Sequence, residues 1–134
     1  MKQQMILIRG IPGSGKSTLA NIIIGNNPSV FKHYEADMYF TDDNGNYIWD
    51  FSRIGAAHSW CQAATHKALK DGYSVIVSNT FTTKKEIQYY LDLAEAFNIV
   101  PTVIIANGNF KNVHSVPDET IDKMKARFQY NLEL

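Results

Sequence analysis

The fold is decided by residues 5–24, which read MILIRGIPGSGKSTLANIII. The run from Met5 to Arg9 is bounded by a glycine and is typical of a buried central strand in a parallel sheet. Residues 10–17 match the pattern G-x-x-x-x-G-K-[S/T] without a departure. A helix is predicted from about Lys16 to Ile24, before a cluster of glycine, asparagine and proline. This order of strand, glycine-rich loop and helix predicts a phosphate-binding loop.

Each part of this loop has a chemical reason. Glycines let backbone N–H groups turn towards phosphate oxygens in conformations that side chains would obstruct, and the helix N-terminus adds a positive dipole end. Lys16 is predicted to reach the β- and γ-phosphates of ATP, and the Ser17 hydroxyl to ligate Mg²⁺. ATP and Mg²⁺ are therefore the expected cofactors. The predicted nucleotide-binding residues are Gly10, Pro12, Gly13, Ser14, Gly15, Lys16, Ser17 and Thr18.

Short β-rich runs alternate with longer helical runs over the rest of the chain, which is typical of an α/β protein with a parallel sheet. We interpret the fold as a three-layer sandwich of the P-loop NTPase type, with a four- to five-stranded parallel sheet and helices on both faces. Residues 1–134 are expected to form one domain with a lid loop at about 107–116. The other strands are predicted at Val30–Tyr34, Val75–Val77 and Thr102–Ala106. The other helices are predicted at about Asp50–Lys70, after Thr82 or Thr83, and from Pro117 onwards. The last of these helices is predicted to bury a face formed by Ile121, Met124 and Phe128.

The composition excludes several classes of protein. The chain has 134 residues, 13 basic and 13 acidic side chains and one cysteine, which excludes an intramolecular disulfide framework and a cysteine-based zinc site. No apolar run approaches the roughly 20 residues of a membrane span, and the start lacks a signal-peptide pattern. A cytoplasmic protein without a membrane partner is expected. The net charge of zero weighs against binding to a long duplex, which favours a basic excess.

A catalytic carboxylate is expected at the carboxyl ends of the strands, where active groups lie in open parallel sheets. Asp37 follows the second predicted strand and is predicted to act as general base or near Mg²⁺; the alternative is a loop carboxylate that forms a cap or a surface ion pair. The third strand leads into Ser78 and Asn79 rather than an aspartate. Mg²⁺ is therefore expected on Ser17, phosphates and waters, with Asp37 or Ser78 in the outer shell of the ion. The same position makes Asn79 a candidate substrate residue.

Two further groups of side chains are candidates for contact with the reacting molecules. Lys111 and His114 lie in the polar stretch before Pro117, where a closing loop can bring a cation to the γ-phosphate. A solvated lysine and a capping histidine are equally good interpretations. Tyr39 and Trp49 flank a glycine turn and are predicted to stack on a base of the substrate. The alternative is that the aromatic residues of this region fill the core.

In their order along the chain, these residues resemble the P-loop kinases grouped with the kinase domain of bacteriophage polynucleotide kinase. The resemblance is closest to the branch found in NEDD4-binding-protein-2-like proteins, and it covers nearly the whole chain. The segments that carry it are Arg9–Thr18, Ala36–Phe40, Gly45–Tyr47, Ala57–Trp60, Val75–Thr80 and Lys111–Pro117, followed by Met124 and Arg127.

The resemblance implies phosphorylation that depends on ATP and Mg²⁺, often of a 5′-hydroxyl on DNA or RNA. It implies that Asp37 is the general base, that Lys111 is the basic residue of the lid, and that Arg127 is a recurrent arginine of the family. Two departures from the bacteriophage pattern bear on the substrate. Phe40 stands where that pattern has an arginine, and the pair Ser78-Asn79 stands where it has an acid.

The expected function is transfer of the γ-phosphate of ATP to a hydroxyl acceptor, with the 5′-hydroxyl of a nucleic-acid end or a nucleotide favoured. A neutral chain is compatible with this acceptor, because an enzyme that holds only a strand terminus needs few phosphate contacts. Two alternatives stay open. One is a kinase for a small metabolite or nucleoside, and the other is a nucleotide-binding module that senses or scaffolds without efficient catalysis.

Overall fold

A parallel sheet forms the centre of the molecule, of which the computed structural model describes residues 2–25, 27–108 and 116–134. Its four strands are β1 (Met5–Arg9), β2 (Phe31–Tyr34), β3 (Ser74–Asn79) and β4 (Thr102–Ile105). They lie in the order β2-β3-β1-β4, and every pairing is parallel. The carboxyl ends of all these strands therefore meet at one edge of the sheet.

Helices connect the strands. None of those in the described ranges combines the length and the apolar character that a membrane span requires. The α-helices are α1 (Lys16–Ile24), α2 (Ile54–Lys70), α3 (Lys84–Ala96) and α4 (Asp118–Arg127), and short 3-10 helices span Ala36–Phe40 and Phe51–Arg53.

Helices cover both faces of the sheet, which gives three layers. Alternate residues of β1 point to opposite faces. Met5 and Leu7 pack into one core with buried residues of α2 and α3, whereas Ile6 and Ile8 pack with Ala20 of α1. The prediction of an α/β fold of the P-loop NTPase type, with a four- to five-stranded parallel sheet, is confirmed.

The element boundaries agree with the sequence analysis at the phosphate-binding loop and differ elsewhere. β1 and α1 have the predicted bounds. β3 continues past Val77, because Ser78 and Asn79 pair with Ile8 and Arg9 of β1. These polar residues are thus buried members of the sheet rather than the start of a loop.

Two predicted helices need correction. α2 begins at Ile54 rather than near Asp50, because the Asp50 carboxylate caps a 3-10 turn by accepting the N–H of Ser52. The face predicted for α4 is the less exposed one, but it is not buried, since no residue of that helix is buried. Ile121, Met124 and Phe128 are half-buried. Of the expected lid loop, residues 109–115 lie outside the described residues.

The thiol of Cys61 provides a test of the core. Cys61 is 0% exposed on α2, and burial raises the pKa of its thiol. Because the thiolate is the reactive form, iodoacetamide is expected to alkylate the native chain at least about 100-fold more slowly than the chain unfolded in denaturant. Mass spectrometry against time measures both rates. Equal rates would contradict the burial of this residue.

Candidate active site

The loop between β1 and α1 is a cradle whose shape depends on glycine. Gly13 has φ 82 and Gly15 has φ 91, in the left-handed region that L side chains rarely adopt. A Cβ on Gly10 would lie 2.3 Å from Oγ of Ser14 and 2.8 Å from the carbonyl oxygen of Ala106. A larger residue at these positions would therefore distort the loop.

The cradle carries polar groups that fit an anion. The buried hydroxyl of Ser14 has no hydrogen-bond partner within the described part of the chain, and unpaired buried polar groups are rare in proteins. The helix that starts at Lys16 adds N–H groups without intrahelical partners, which is the usual setting of a phosphate site. Gly108 donates its N–H to the carbonyl oxygen of Ser14 over 2.8 Å, which ties the end of β4 to the cradle.

Lys16 lies at the floor of the cradle. Its ammonium donates to the carbonyl oxygens of Gly10 at 2.8 Å and Ile11 at 3.0 Å. Burial lowers the pKa of Lys16 to about 8, although the nearby carboxylates of Glu35 and Asp37 oppose the shift. The site therefore holds a partly desolvated cation whose charge phosphate oxygens would stabilise.

Ser17 and Glu35 form a pair that the sequence analysis missed. The Ser17 hydroxyl donates to Oε1 of Glu35, the residue that follows β2. The oxygen atoms of this pair suit a hard cation such as Mg²⁺. No group of three or more His, Cys, Asp or Glu residues capable of holding a metal occurs in the ranges described. The donor set therefore fits an ion held partly by phosphates and water rather than by a cage of side chains.

Asp37 lies on the 3-10 helix that follows β2, and two contacts hold this segment in place. The Tyr47 hydroxyl donates to Oδ1 of Asp37 over 3.0 Å. Burial and the Asp37 carboxylate together raise the pKa of Tyr47, which keeps the phenol protonated. The N–H of Ala36 donates to Oδ1 of the buried Asn79 over 2.9 Å. The side chain of Asn79 thus supports the Asp37 segment, in addition to its predicted role in substrate contact.

One cavity of about 590 Å³ joins most of the predicted residues. This volume lies within the roughly 300–1,000 Å³ of small-molecule sites. Gly10, Ser14 and Tyr39 are not on its wall, and Lys111 and His114 lie outside the described residues. The predicted residues that line the cavity are Pro12, Gly13, Gly15, Lys16, Ser17, Thr18, Asp37, Trp49, Asn79 and Arg127.

The ring of Tyr39 has other neighbours. It packs against Trp60 with ring centroids 6.4 Å apart, and the guanidinium of Arg53 lies 5.1 Å from the Tyr39 ring centroid. Phe51 lines the cavity instead and is 74% exposed. Phe51 lies two residues after Trp49, but the sequence pattern does not distinguish this exposed ring from the packed ring of Tyr39.

Arg127 reaches the cavity from the end of α4. Its Nε donates to Oγ1 of Thr82 over 3.1 Å. The segment that contains Thr82 is also held by the buried Arg9, which donates to the carbonyl oxygens of Phe81 at 3.0 Å and Thr82 at 3.3 Å. The Arg9 guanidinium also lies 4.3 Å from the ring centroid of Phe128. These contacts fix the place of Arg127 relative to the strand that leads into the cradle.

The family of the chain follows from a comparison with family models. A model described as an AAA domain matches residues 5–130. The chain belongs to this AAA domain family. NEDD4-binding protein 2 of Homo sapiens is 30% identical over 135 residues, which cover 93% of this chain and 8% of that protein. An uncharacterized protein of Pasteurella multocida (strain Pm70) is 28% identical over 134 residues, which cover 91% of this chain and 74% of that protein. This AAA domain therefore spans only a small part of its human relative.

Solved structures share the fold. A chain of the Pnkp1/Rnl/Hen1 RNA repair complex superposes with a TM-score of 0.70 at 18% identity, covering 96% of this chain and 44% of that one. Chaetomium thermophilum Kti12 in complex with ADP-AlF3 gives 0.67 at 14% identity, with 93% and 80% covered. A mutant of the Mycobacterium tuberculosis APS kinase CysC gives 0.62 at 11%, with 94% and 96% covered. This AAA domain thus has the α/β P-loop NTPase-like fold of these structures.

Replacement of Lys16 tests the cradle. Lys16→Met is expected to abolish measurable ATP binding without lowering the free energy of unfolding of the nucleotide-free chain. The free energy of unfolding should not fall, because burial disfavours the charged form of Lys16, as its lowered pKa indicates. Methionine removes that charge. Titration calorimetry with ATP and urea unfolding measure the two effects. Lys85→Met, on the exposed side of α3, is the control and should bind ATP normally. ATP binding retained by Lys16→Met would contradict the assignment.

Proposed function

We propose that this AAA domain is a kinase that transfers the γ-phosphate of ATP to a hydroxyl acceptor in the presence of Mg²⁺. The observation that carries the proposal is that Lys16 and Asp37 line the same cavity and interact electrostatically. A cation for phosphate oxygens and a carboxylate for a hydroxyl proton are the two groups that such a transfer requires. The similarity of the fold to an APS kinase supports this proposal.

The cradle is proposed to hold the phosphates of ATP. Its left-handed glycines, the unpaired hydroxyl of Ser14 and the N-terminus of α1 would bind the phosphate oxygens, and Lys16 would balance the charge of the β- and γ-phosphates. Bound Mg²⁺ would supply further neutralisation of this charge, with Ser17 as a ligand. The complex of Kti12 with ADP-AlF3 supports nucleotide binding by this fold.

Asp37 is proposed to be the general base. Its carboxylate accepts the proton of the acceptor hydroxyl while the acceptor oxygen forms a bond to the γ-phosphorus. The bond from that phosphorus to the bridging oxygen breaks, and ADP leaves. Tyr47 holds one oxygen of Asp37 by a hydrogen bond, which restricts the orientation of the carboxylate. Arg127 is proposed to stabilise the charge of the transferring group from α4, and Lys111 stays a predicted lid residue.

The acceptor is proposed to be the 5′-hydroxyl of a nucleic-acid end or a nucleotide. Trp49 and Phe51 line the cavity, although they are 48% and 74% exposed. Their ring centroids lie 6.0 Å apart at 59°. Exposed aromatic rings beside a phosphate site suit the stacking of a base. The similarity of the fold to a chain of an RNA repair complex supports the same acceptor.

A kinase for a nucleoside or another small hydroxyl compound is the second candidate. Among the described residues that line the cavity, Lys16 and Arg127 are the cations, whereas Glu35, Asp37 and Glu86 are carboxylates. This wall therefore has no positive excess with which to attract a polymer of phosphates. A small uncharged acceptor would need no such excess.

Removal of the proposed base gives the first test of catalysis. Asp37→Asn is expected to lower the rate of phosphate transfer at least about 100-fold, because general bases contribute roughly 10²- to 10⁴-fold. Its affinity for ATP should be unchanged or slightly higher, since a negative charge near the phosphates is lost. Transfer from γ-labelled ATP measures the rate. Asp43→Asn, an exposed residue nearby, is the matched control with normal activity. Wild-type turnover by Asp37→Asn would show that another group is the base.

The acceptor is tested by offering 5′-hydroxyl DNA and RNA oligonucleotides and nucleosides in parallel. Trp49→Ala is expected to raise the KM for an oligonucleotide about tenfold with little change in kcat, because base stacking on an aromatic ring contributes ~1–3 kcal/mol. Ile48→Ala, at an exposed neighbour that does not line the cavity, should leave KM unchanged. Transfer to nucleosides alone would favour the second candidate. ATP binding without transfer to any acceptor would indicate a non-catalytic module.

A further inference from the structure

The end of β3 lacks a carboxylate, although parallel sheets collect active groups at this edge. Ser78, the last residue but one of β3, is 1% exposed. Its hydroxyl lies 2.7 Å from Nε2 of His33 on β2. Ser78 lines the cavity, and its hydroxyl is engaged with a side chain of the neighbouring strand.

A carboxylate stands at the same level on the neighbouring strand. Tyr34 of β2 pairs with Val77 of β3, so Glu35, the next residue, is level with Ser78. Glu35 accepts the Ser17 hydroxyl at Oε1, and the same oxygen lies 3.4 Å from Nε2 of His33. The side chains of His33 and Glu35 are 10% and 14% exposed. Glu35 is therefore held between Ser17 of the cradle and His33, and His33 also contacts Ser78.

We propose that Glu35 is the carboxylate that holds the divalent cation together with Ser17, and that His33 positions it. In this chain the acidic partner of the phosphate-binding loop stands at the end of β2, which is one strand further from the loop than β3. The proposal rests on the proposed function, because it concerns the cation that accompanies ATP. The Ser17 hydroxyl and the Glu35 carboxylate lie in contact, and such oxygen atoms are the ligands that Mg²⁺ prefers.

This assignment separates the roles of the two carboxylates that follow β2. Both Glu35 and Asp37 act on the charge of Lys16, but their hydrogen bonds differ. Glu35 contacts Ser17, whereas Asp37 accepts the hydroxyl of Tyr47. Glu35 is thus placed for the cation and Asp37 for the acceptor hydroxyl.

The test measures nucleotide binding alone, without an acceptor. ADP is titrated into the wild-type chain by calorimetry, once with Mg²⁺ and once with EDTA, and the ratio of the two affinities gives the contribution of the cation. In Glu35→Gln this ratio is expected to fall at least about 10-fold, because loss of a group that merely supports a metal ligand already costs roughly 10- to 100-fold in metal affinity. Affinity in EDTA should be equal or higher, because a negative charge beside the phosphates is gone.

Three further variants sharpen the comparison. Asp37→Asn should keep the full effect of Mg²⁺, as should Glu95→Gln on the exposed side of α3. His33→Gln should reduce the ratio less than Glu35→Gln does, because it only misplaces the carboxylate. Electron paramagnetic resonance of Mn²⁺ with ADP gives an independent readout, in which Glu35→Gln should bind the ion more weakly.

Two results would overturn the assignment. In the first, Glu35→Gln keeps the wild-type ratio in both measurements. In the second, Glu35→Gln lowers the affinity for ADP equally with and without Mg²⁺, which would make Glu35 a support of the loop only. If the wild-type chain binds no nucleotide at all, the proposed function fails together with this assignment. If it binds nucleotide with Mg²⁺ but transfers no phosphate, only the proposed function fails.

Discussion

The structure depends on the pairing of β1 with a parallel strand on each side. Leu7 and Ile8 are 0% exposed in the middle of this strand, and burial of such side chains contributes about 1.5–3 kcal/mol each. The pairing continues into the loop, because Gly10 donates its N–H to the carbonyl oxygen of Thr80 at 3.2 Å and Ala106 donates to that of Arg9 at 2.9 Å. The cradle is thus attached to the ends of both neighbouring strands.

This attachment explains why the candidate site lies where it does. The parallel register places the end of β2 beside the end of β3, and the end of β3 beside the cradle. Glu35 and Asp37 therefore reach Lys16 although about twenty residues separate them in sequence. Asn79 contributes to the same arrangement, since its buried amide holds the segment on which Asp37 lies. Arg127 reaches the same cavity from α4, outside the sheet edge.

The loop and its flanking elements could be predicted because their signals are local. A glycine pattern, a run of apolar residues and a helix start lie within residues 5–24. α4 could not be predicted as well, because its apolar residues Ile121 and Met124 suggested a core face. They are half-buried, with Met124 on the wall of the cavity rather than in the core. Hydrophobic periodicity indicates that a side is covered and does not reveal what covers it.

The amino-acid sequence by itself determined the fold class, the position of the cradle and the choice of Asp37 as a candidate base, because each depends on neighbours in the chain. Only the tertiary structure decided that Glu35 meets Ser17, that Asn79 supports the Asp37 segment, and that Phe51 rather than Tyr39 lines the cavity. Those outcomes depend on the strand order β2-β3-β1-β4 and on side-chain packing. Contacts between residues distant in the chain arise from such packing, which a local pattern does not encode.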